Sequence, residues 1–191
     1  MGHERPRIHV VQTRSIARSL IAAAATACVA ACGGATGGAP GASSAAESGA
    51  SPPDFQLETL TGDTARLSDH LGKDVVLVDF WATFCEPCLA SMPHLDALYK
   101  KYKDKGFVVL GVSIDGPDSI AQVRSEVQKL GVTFPILLDQ ETRVVSLYNP
   151  KTSAPYSVLI GRNGRIRQKR EGYTTGSAAA LESDIAAALA Q

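Results

Sequence analysis

The sequence predicts a three-layer α/β sandwich built on a central mixed β-sheet, with a short β extension on its N-terminal side. Three observations carry that prediction. Val75-Val76-Leu77-Val78 and Phe107-Val108-Val109-Leu110-Gly111-Val112 are continuous apolar runs, the pattern of strands covered on both faces in a parallel sheet. Two other segments place apolar residues at three- and four-residue spacing, Leu89, Met92, Leu95, Leu98 and Tyr99 in the first and Ile120, Val123, Val127 and Leu130 in the second, which is helical periodicity. The chain then closes on two strand-like runs around Asn163-Gly164 and a last helical stretch. Strands and helices that alternate and end in a hairpin make a mixed sheet.

At the N-terminal end, Arg5, Arg7, Arg14 and Arg18 precede an apolar, acid-free stretch from Leu20 to Ala31. That order and length fit a secretory signal and fall short of a membrane span. The stretch ends in Val29-Ala30-Ala31-Cys32, which resembles the bacterial lipobox, where the peptide is cut before a cysteine that is then lipidated. Residues 1–31 are thus expected to be a lipoprotein-type signal peptide, with Cys32 the lipid-bearing first residue of an exported chain. That chain would be anchored to a bacterial membrane, facing the periplasm or the cell exterior. An ordinary signal peptide cut elsewhere is the alternative.

Residues 32–51 read as the lipidated cysteine and a flexible tether. Gly33 to Ser51 is mostly Gly, Ala and Ser, with Glu47 its only charge, and as a coil of 19 residues it has an end-to-end distance of roughly 25 Å. Residues 52–191 form one domain of 140 residues, a length that buries about two-thirds of the unfolded surface without structural disulfides. The full chain carries 19 basic and 19 acidic residues, and loss of residues 1–31 leaves 15 and 18, a net charge of about −3 with His neutral. No basic cluster is interleaved with aromatics, so nucleic acid is not an expected partner. A monomer is expected.

Within the domain, Phe55, Leu57 and Leu60, the turn Thr61-Gly62-Asp63 and Leu67 read as two short strands at the edge of the sheet. The central strand follows at Val75–Phe80. A helix starts at or near Cys85, with Pro87 just inside it, where its fixed φ and missing N–H cost nothing. Pro93 is expected to kink that helix. After the second buried strand, Asp118 or Ser119 can cap the next helix and Gly131 end it. Ile136-Leu137-Leu138 is a short strand and Thr142 to Tyr148 a short helix. Tyr156–Ile160 and Arg165–Glu171 form the hairpin, with Asn163-Gly164 expected to supply the positive φ angles of its turn. Ser177 to Ala190 is the closing helix. Pro135 and Pro150 read as strand-start and turn prolines.

The chemistry lies where the central strand meets its helix, at Asp79-Phe80-Trp81-Ala82-Thr83-Phe84-Cys85-Glu86-Pro87-Cys88. Free N–H groups and the positive end of the helix dipole favour a thiolate at such a place. Cys85, in the first turn, is expected to be exposed and to attack a partner's disulfide. Cys88, one turn on, is expected to be shielded until it resolves the mixed disulfide. Glu86 between them opposes the thiolate. Asp79 ends an apolar run, so burial should raise its pKa toward neutrality and let it relay a proton to or from Cys88; a purely structural carboxylate is the other reading. Trp81 either covers the thiolate side of the site or is a core aromatic. With Cys28 removed and Cys32 acylated, Cys85 and Cys88 are the only thiols left in a disulfide-permissive compartment.

The run Phe80 to Cys88, with Met92-Pro93 soon after, resembles the active-site segment of the thioredoxin superfamily, closest to its extracytoplasmic TlpA/ResA-type branch. The likeness extends from about Pro53 to the C-terminus. It implies a thioredoxin-like fold and a redox-active Cys85/Cys88 disulfide that serves without a further cofactor or metal. It also implies a cis-proline at Pro155 facing that pair, with the backbone of Ala154 offered to an extended substrate peptide. Two departures stand out. Phe84 occupies the place of a common Trp, and Ser91 that of a glutamate, the active-site acid of ResA-type cytochrome c maturation proteins, which puts that specialised role in doubt.

The expected partners are disulfide-containing exported proteins and an upstream membrane thiol donor. Glu86-Pro87 adds no positive charge to stabilise the thiolate, so a reducing protein is expected. A thiol peroxidase is the main alternative, but peroxiredoxins resemble one another in a Thr three residues before the cysteine, where this chain has Ala82, with Thr83 one residue too late. A metal carrier is less favoured, because only Cys85, Cys88, His70 and His94 offer nitrogen or sulfur donors and both histidines read as solvated surface residues.

Overall fold

The computed structural model describes residues 49–191. The expected leader, Cys28, Cys32 and most of the expected tether lie outside the described residues. The strands are β1 (Gln56–Glu58), β2 (Thr64–Arg66), β3 (Val75–Trp81), β4 (Phe107–Ser113), β5 (Ile136–Leu138), β6 (Tyr156–Ile160) and β7 (Ile166–Glu171). The helices are α1 (Glu86–Tyr102), α2 (Ile120–Leu130), α3 (Arg143–Tyr148) and α4 (Thr175–Leu189).

β3 is buried at every residue, which is why its sequence is apolar without alternation. The five-stranded sheet runs β5-β4-β3-β6-β7. β3, β4 and β5 are parallel, while β6 is antiparallel to β3 and β7 to β6. Alternate β3 residues serve the two faces. Val75, Leu77 and Trp81 pack with Met92, Leu95 and Leu98 of α1 and Leu181 and Ile185 of α4. Val76, Val78 and Phe80 pack with Val144, Val145 and Tyr148 of α3 and with Phe55, Leu57 and Leu67. The expected three layers and mixed sheet are present.

Several details depart from expectation. β1 and β2 form a separate two-stranded ribbon rather than an edge of the main sheet; it is attached at β5 by a Thr59–Leu137 bridge and a bond from Leu60 N–H to the Ile136 carbonyl of 2.8 Å. A single 3-10 turn at Pro117–Ser119 precedes α2, and neither Asp118 nor Ser119 caps that helix with its side chain; Gly131 ends it in the left-handed region, as expected. In the β6–β7 turn only Gly164 has positive φ. Asn163 instead accepts the Arg165 N–H at its side chain, and Gly164 N–H donates to the Gly161 carbonyl, a longer turn than two paired positive-φ residues would make. Pro93, where a kink is expected, lies inside α1, which spans Glu86–Tyr102. α4 starts two residues earlier than expected, because Thr174 and Ser177 form a capping box.

The chain already touches the domain ahead of Pro52. The Ala50 carbonyl accepts from Ile166 N–H at 2.9 Å, and Ser51 Oγ accepts from the Arg165 guanidinium.

Candidate active site

β3 delivers the chain to the end of the sheet at Trp81, and the turn Ala82–Phe84 carries it into α1. Cys85 occupies the N-cap of that helix, with Glu86 and Pro87 exposed in its first turn. Cys85 Sγ accepts the N–H of Cys88 at 3.3 Å, one of the donors that a helix start leaves without a carbonyl partner. Cys85 and Cys88 are joined in a disulfide, with 5.2 Å between their Cα atoms. The expected exposure of Cys85 needs correcting: it is 7 % exposed and Cys88 fully buried. Both sulfurs belong to the apolar cluster that includes Trp81, Ala82 and Met92, so the bonded pair lies against the core. Cys85 is still the more accessible of the two. Phe84 is 76 % exposed beside it.

Trp81 is fully buried in the same cluster, and its indole N–H has no hydrogen-bond partner among the described residues. The Ala154–Pro155 peptide is cis. Ala154 packs against the cluster that holds both cysteines. Ser91 is buried and donates its hydroxyl to the Cys88 carbonyl at 2.7 Å. The space beside it is a cavity of about 30 Å³ lined by Asp79, Ser91, Pro155 and Tyr173 among others, enough for a water molecule. Tyr173 Oη is buried without a hydrogen-bond partner among the described residues. His94 is exposed on α1 with its ring 6.4 Å from that of Tyr173. His70 is less solvated than expected, bonding Asp74 through Nδ1 at 2.9 Å.

Asp79 lies in the middle of the sheet, opposite Gly111 on β4 and Ser157 on β6. It is 5 % exposed, and its carboxylate has no hydrogen-bond partner among the described residues. Desolvation alone pushes its pKa from 3.8 up to about 7. A carboxyl whose folded value lies above its unfolded value leaves stability intact below pH 4 and removes it as pH rises toward and through 7, at roughly 1.4 kcal/mol per unit of difference. Urea unfolding of the oxidised chain should therefore show stability falling between pH 4 and pH 8 by up to ~4 kcal/mol. Asp79→Asn should flatten that slope and be the more stable form at pH 8. A wild-type slope equal to that of Asp79→Asn would show that Asp79 titrates normally.

A second carboxylate at this end of the sheet was not anticipated. Asp115, just beyond β4, is buried and receives Thr83 Oγ1–H at 2.6 Å, Thr83 N–H at 3.1 Å and Ser113 Oγ–H at 2.8 Å. The available signal was Ser113-Ile114-Asp115, two polar residues spaced by two at the end of an apolar strand. The Thr83 hydroxyl is thus committed to Asp115.

A buried strand that runs into a helix N-terminus carrying a Cys-x-x-Cys disulfide, with a cis-proline segment packed beside it on a mixed sheet, defines a thiol–disulfide oxidoreductase of thioredoxin-like fold. The chain belongs to the AhpC/TSA family, whose model matches residues 49–169. It is 39 % identical over 127 residues to the thiol-disulfide oxidoreductase ResA of Geobacillus kaustophilus, covering 66 % of this chain and 71 % of that one. With ResA of Oceanobacillus iheyensis the identity is 37 % over 131 residues, 66 % of each chain. Among solved structures, a thiol:disulfide interchange protein described as DsbE from Chlorobium tepidum superposes with a TM-score of 0.68 at 36 % identity, over 74 % of this chain and 96 % of the other. A protein disulfide isomerase structure from Bacteroides thetaiotaomicron gives 0.69 at 29 % identity, over 75 % and 90 %.

Proposed function

We propose that the chain is a membrane-tethered reductant of disulfides in exported proteins, anchored through a lipid on Cys32 and kept reduced by a membrane thiol donor. The observation that carries the direction is the environment of Cys85: one helix N-terminus supports its sulfur, and the charged residue of that first turn is the acidic Glu86. A strongly oxidising pair requires a thiolate stabilised well beyond this.

The cycle is a mixed-disulfide exchange. The Cys85 thiolate attacks one sulfur of the client's disulfide, a new S–S bond forms, and the client's other sulfur leaves as thiolate. Asp79 takes the Cys88 proton. Cys88 then attacks Cys85 Sγ, closes the intramolecular disulfide and releases the second client thiolate, so two electrons pass from the chain to the client. The client lies extended along Ala154-Pro155; the backbone groups of Ala154 have no intramolecular hydrogen bond among the described residues and are free to pair with it. Exposed Phe84 supplies apolar contact, and no added cofactor takes part.

The test is the equilibrium potential of the Cys85–Cys88 pair, by alkylation trapping in graded thiol buffers, with the mass of the mature N-terminus checked for a lipid on Cys32. A value at or below about −250 mV is expected, and one near −120 mV would reverse the assigned direction. A mature chain lacking a lipidated Cys32 would remove the tether from the proposal.

A further inference from the structure

The turn before Cys85 is tied to the neighbouring strand by more than the sheet. Ile114 N–H donates to the Trp81 carbonyl at 2.9 Å, carrying the β3–β4 pairing past the last ladder residues. Asp115 then grips Thr83 through both its N–H and its hydroxyl, while Ser113 holds the carboxylate from behind. Thr83 and Asp115 are 8 % and 5 % exposed. A carboxylate at that depth is costly unless it is fully hydrogen-bonded, and a pair of apolar side chains would fasten two strand ends as well. What the carboxylate adds is direction, because it fixes one residue of the turn by its backbone and its side chain at once.

We propose that Asp115 is a positioning residue for the redox pair: acting through Thr83, it fixes the turn Ala82–Phe84 and with it the alignment of Cys85 Sγ on the free N–H groups at the start of α1. The path is continuous. Thr83 is held by Asp115, Cys85 N–H donates to the Ala82 carbonyl at 3.1 Å, and Cys88 N–H donates to Cys85 Sγ at 3.3 Å. A turn released from Asp115 lets the sulfur drift from those donors, and the protonated thiol gains over the thiolate. The inference rests on the thiol–disulfide exchange activity and extends it to a residue on β4's outgoing loop whose side chain bonds Thr83 and Ser113.

The experiment compares wild type with Asp115→Asn, Thr83→Val and Thr83→Ser as reduced full chains, following iodoacetamide alkylation of Cys85 across pH, peptide by peptide. Glu86 and Asp79, the other acids near the pair, are the same in all four and give a common background. Asp115→Asn should shift the alkylation midpoint upward and slow Cys85 at pH 7 by roughly tenfold, one unit of pKa. Thr83→Val keeps the N–H bond to Asp115 and should shift the midpoint less, in the same direction. Thr83→Ser keeps the hydroxyl and should restore the wild-type profile. Near-UV circular dichroism checks that each variant is folded; should Asp115→Asn not fold, Thr83→Val decides. A folded variant of either kind with a wild-type midpoint, or one shifted downward as loss of a negative charge alone would do, overturns the proposal. Failure of the exchange activity itself would show differently, as a wild-type chain with no reversible Cys85–Cys88 disulfide.

Discussion

Cys85→Ser should abolish thiol–disulfide exchange, lowering the rate by at least roughly a thousandfold, because the nucleophile is the one group whose removal leaves no partial reaction. Cys88→Ser should fail differently. Cys85 keeps its place on the helix N-terminus and still attacks, but nothing resolves the adduct, and a covalent mixed disulfide with the client accumulates. Non-reducing electrophoresis and intact mass of the two variants, each incubated with a disulfide-bonded peptide, read the difference directly. Adduct on Cys85→Ser rather than Cys88→Ser would exchange the two roles. The burial difference between them, 7 % against 0 %, is small in the oxidised chain, so the assignment leans on the N-cap position of Cys85 as much as on access.

The second large effect concerns stability. Phe80→Ala should cost about 3–5 kcal/mol, a large fraction of the 5–15 kcal/mol that holds a domain together. Phe80 is fully buried on the face of β3 away from the disulfide, with its ring 5.5 Å from that of Tyr148 and 6.3 Å from that of Tyr156. It links the central strand to α3 and to β6, so truncation opens a cavity with walls from two other elements. Chemical denaturation gives the loss. In the folded variant at low temperature the Cys85–Cys88 potential should stay near wild type, since Phe80 belongs to the other cluster. A loss below about 1 kcal/mol would mean that the neighbouring rings collapse into the space.

The features legible in the sequence were those written in local pattern. A continuous apolar run marked β3 and β4 because both faces of a central parallel strand are covered, and the periodicity of α1 survived because its inner face packs on that strand. Cys85 and Cys88 were legible because their chemistry depends on a strand-to-helix junction that the pattern already placed. Pro155 was legible only through resemblance, since nothing local distinguishes its bond from that of any other proline. Other features depended on partners distant in the chain. The β1–β2 ribbon separates from the main sheet because it is β5, nearly eighty residues on, that receives it. Ser119 does not cap α2, because a 3-10 turn precedes the helix. Asp115 reads as an ordinary loop acid until folding brings Thr83, 32 residues earlier, against it. Cys85 is buried because tertiary neighbours close over a position that helix geometry alone leaves open.

The contact of Ala50 with Ile166 places the N-terminal side of the domain in a particular way. Ile166 pairs with Ile160, and Ile160 with Val76 near the start of β3, whereas the redox turn follows Trp81 at that strand's other end. The separation along the strand is about 16 Å. Ala50 and Ser51 are therefore held at one pole of the domain, and the disulfide is a working tip at the other. A bead coupled at Ser51 would meet the pole away from the sulfurs, and the tip would keep its approach clear for a folded client.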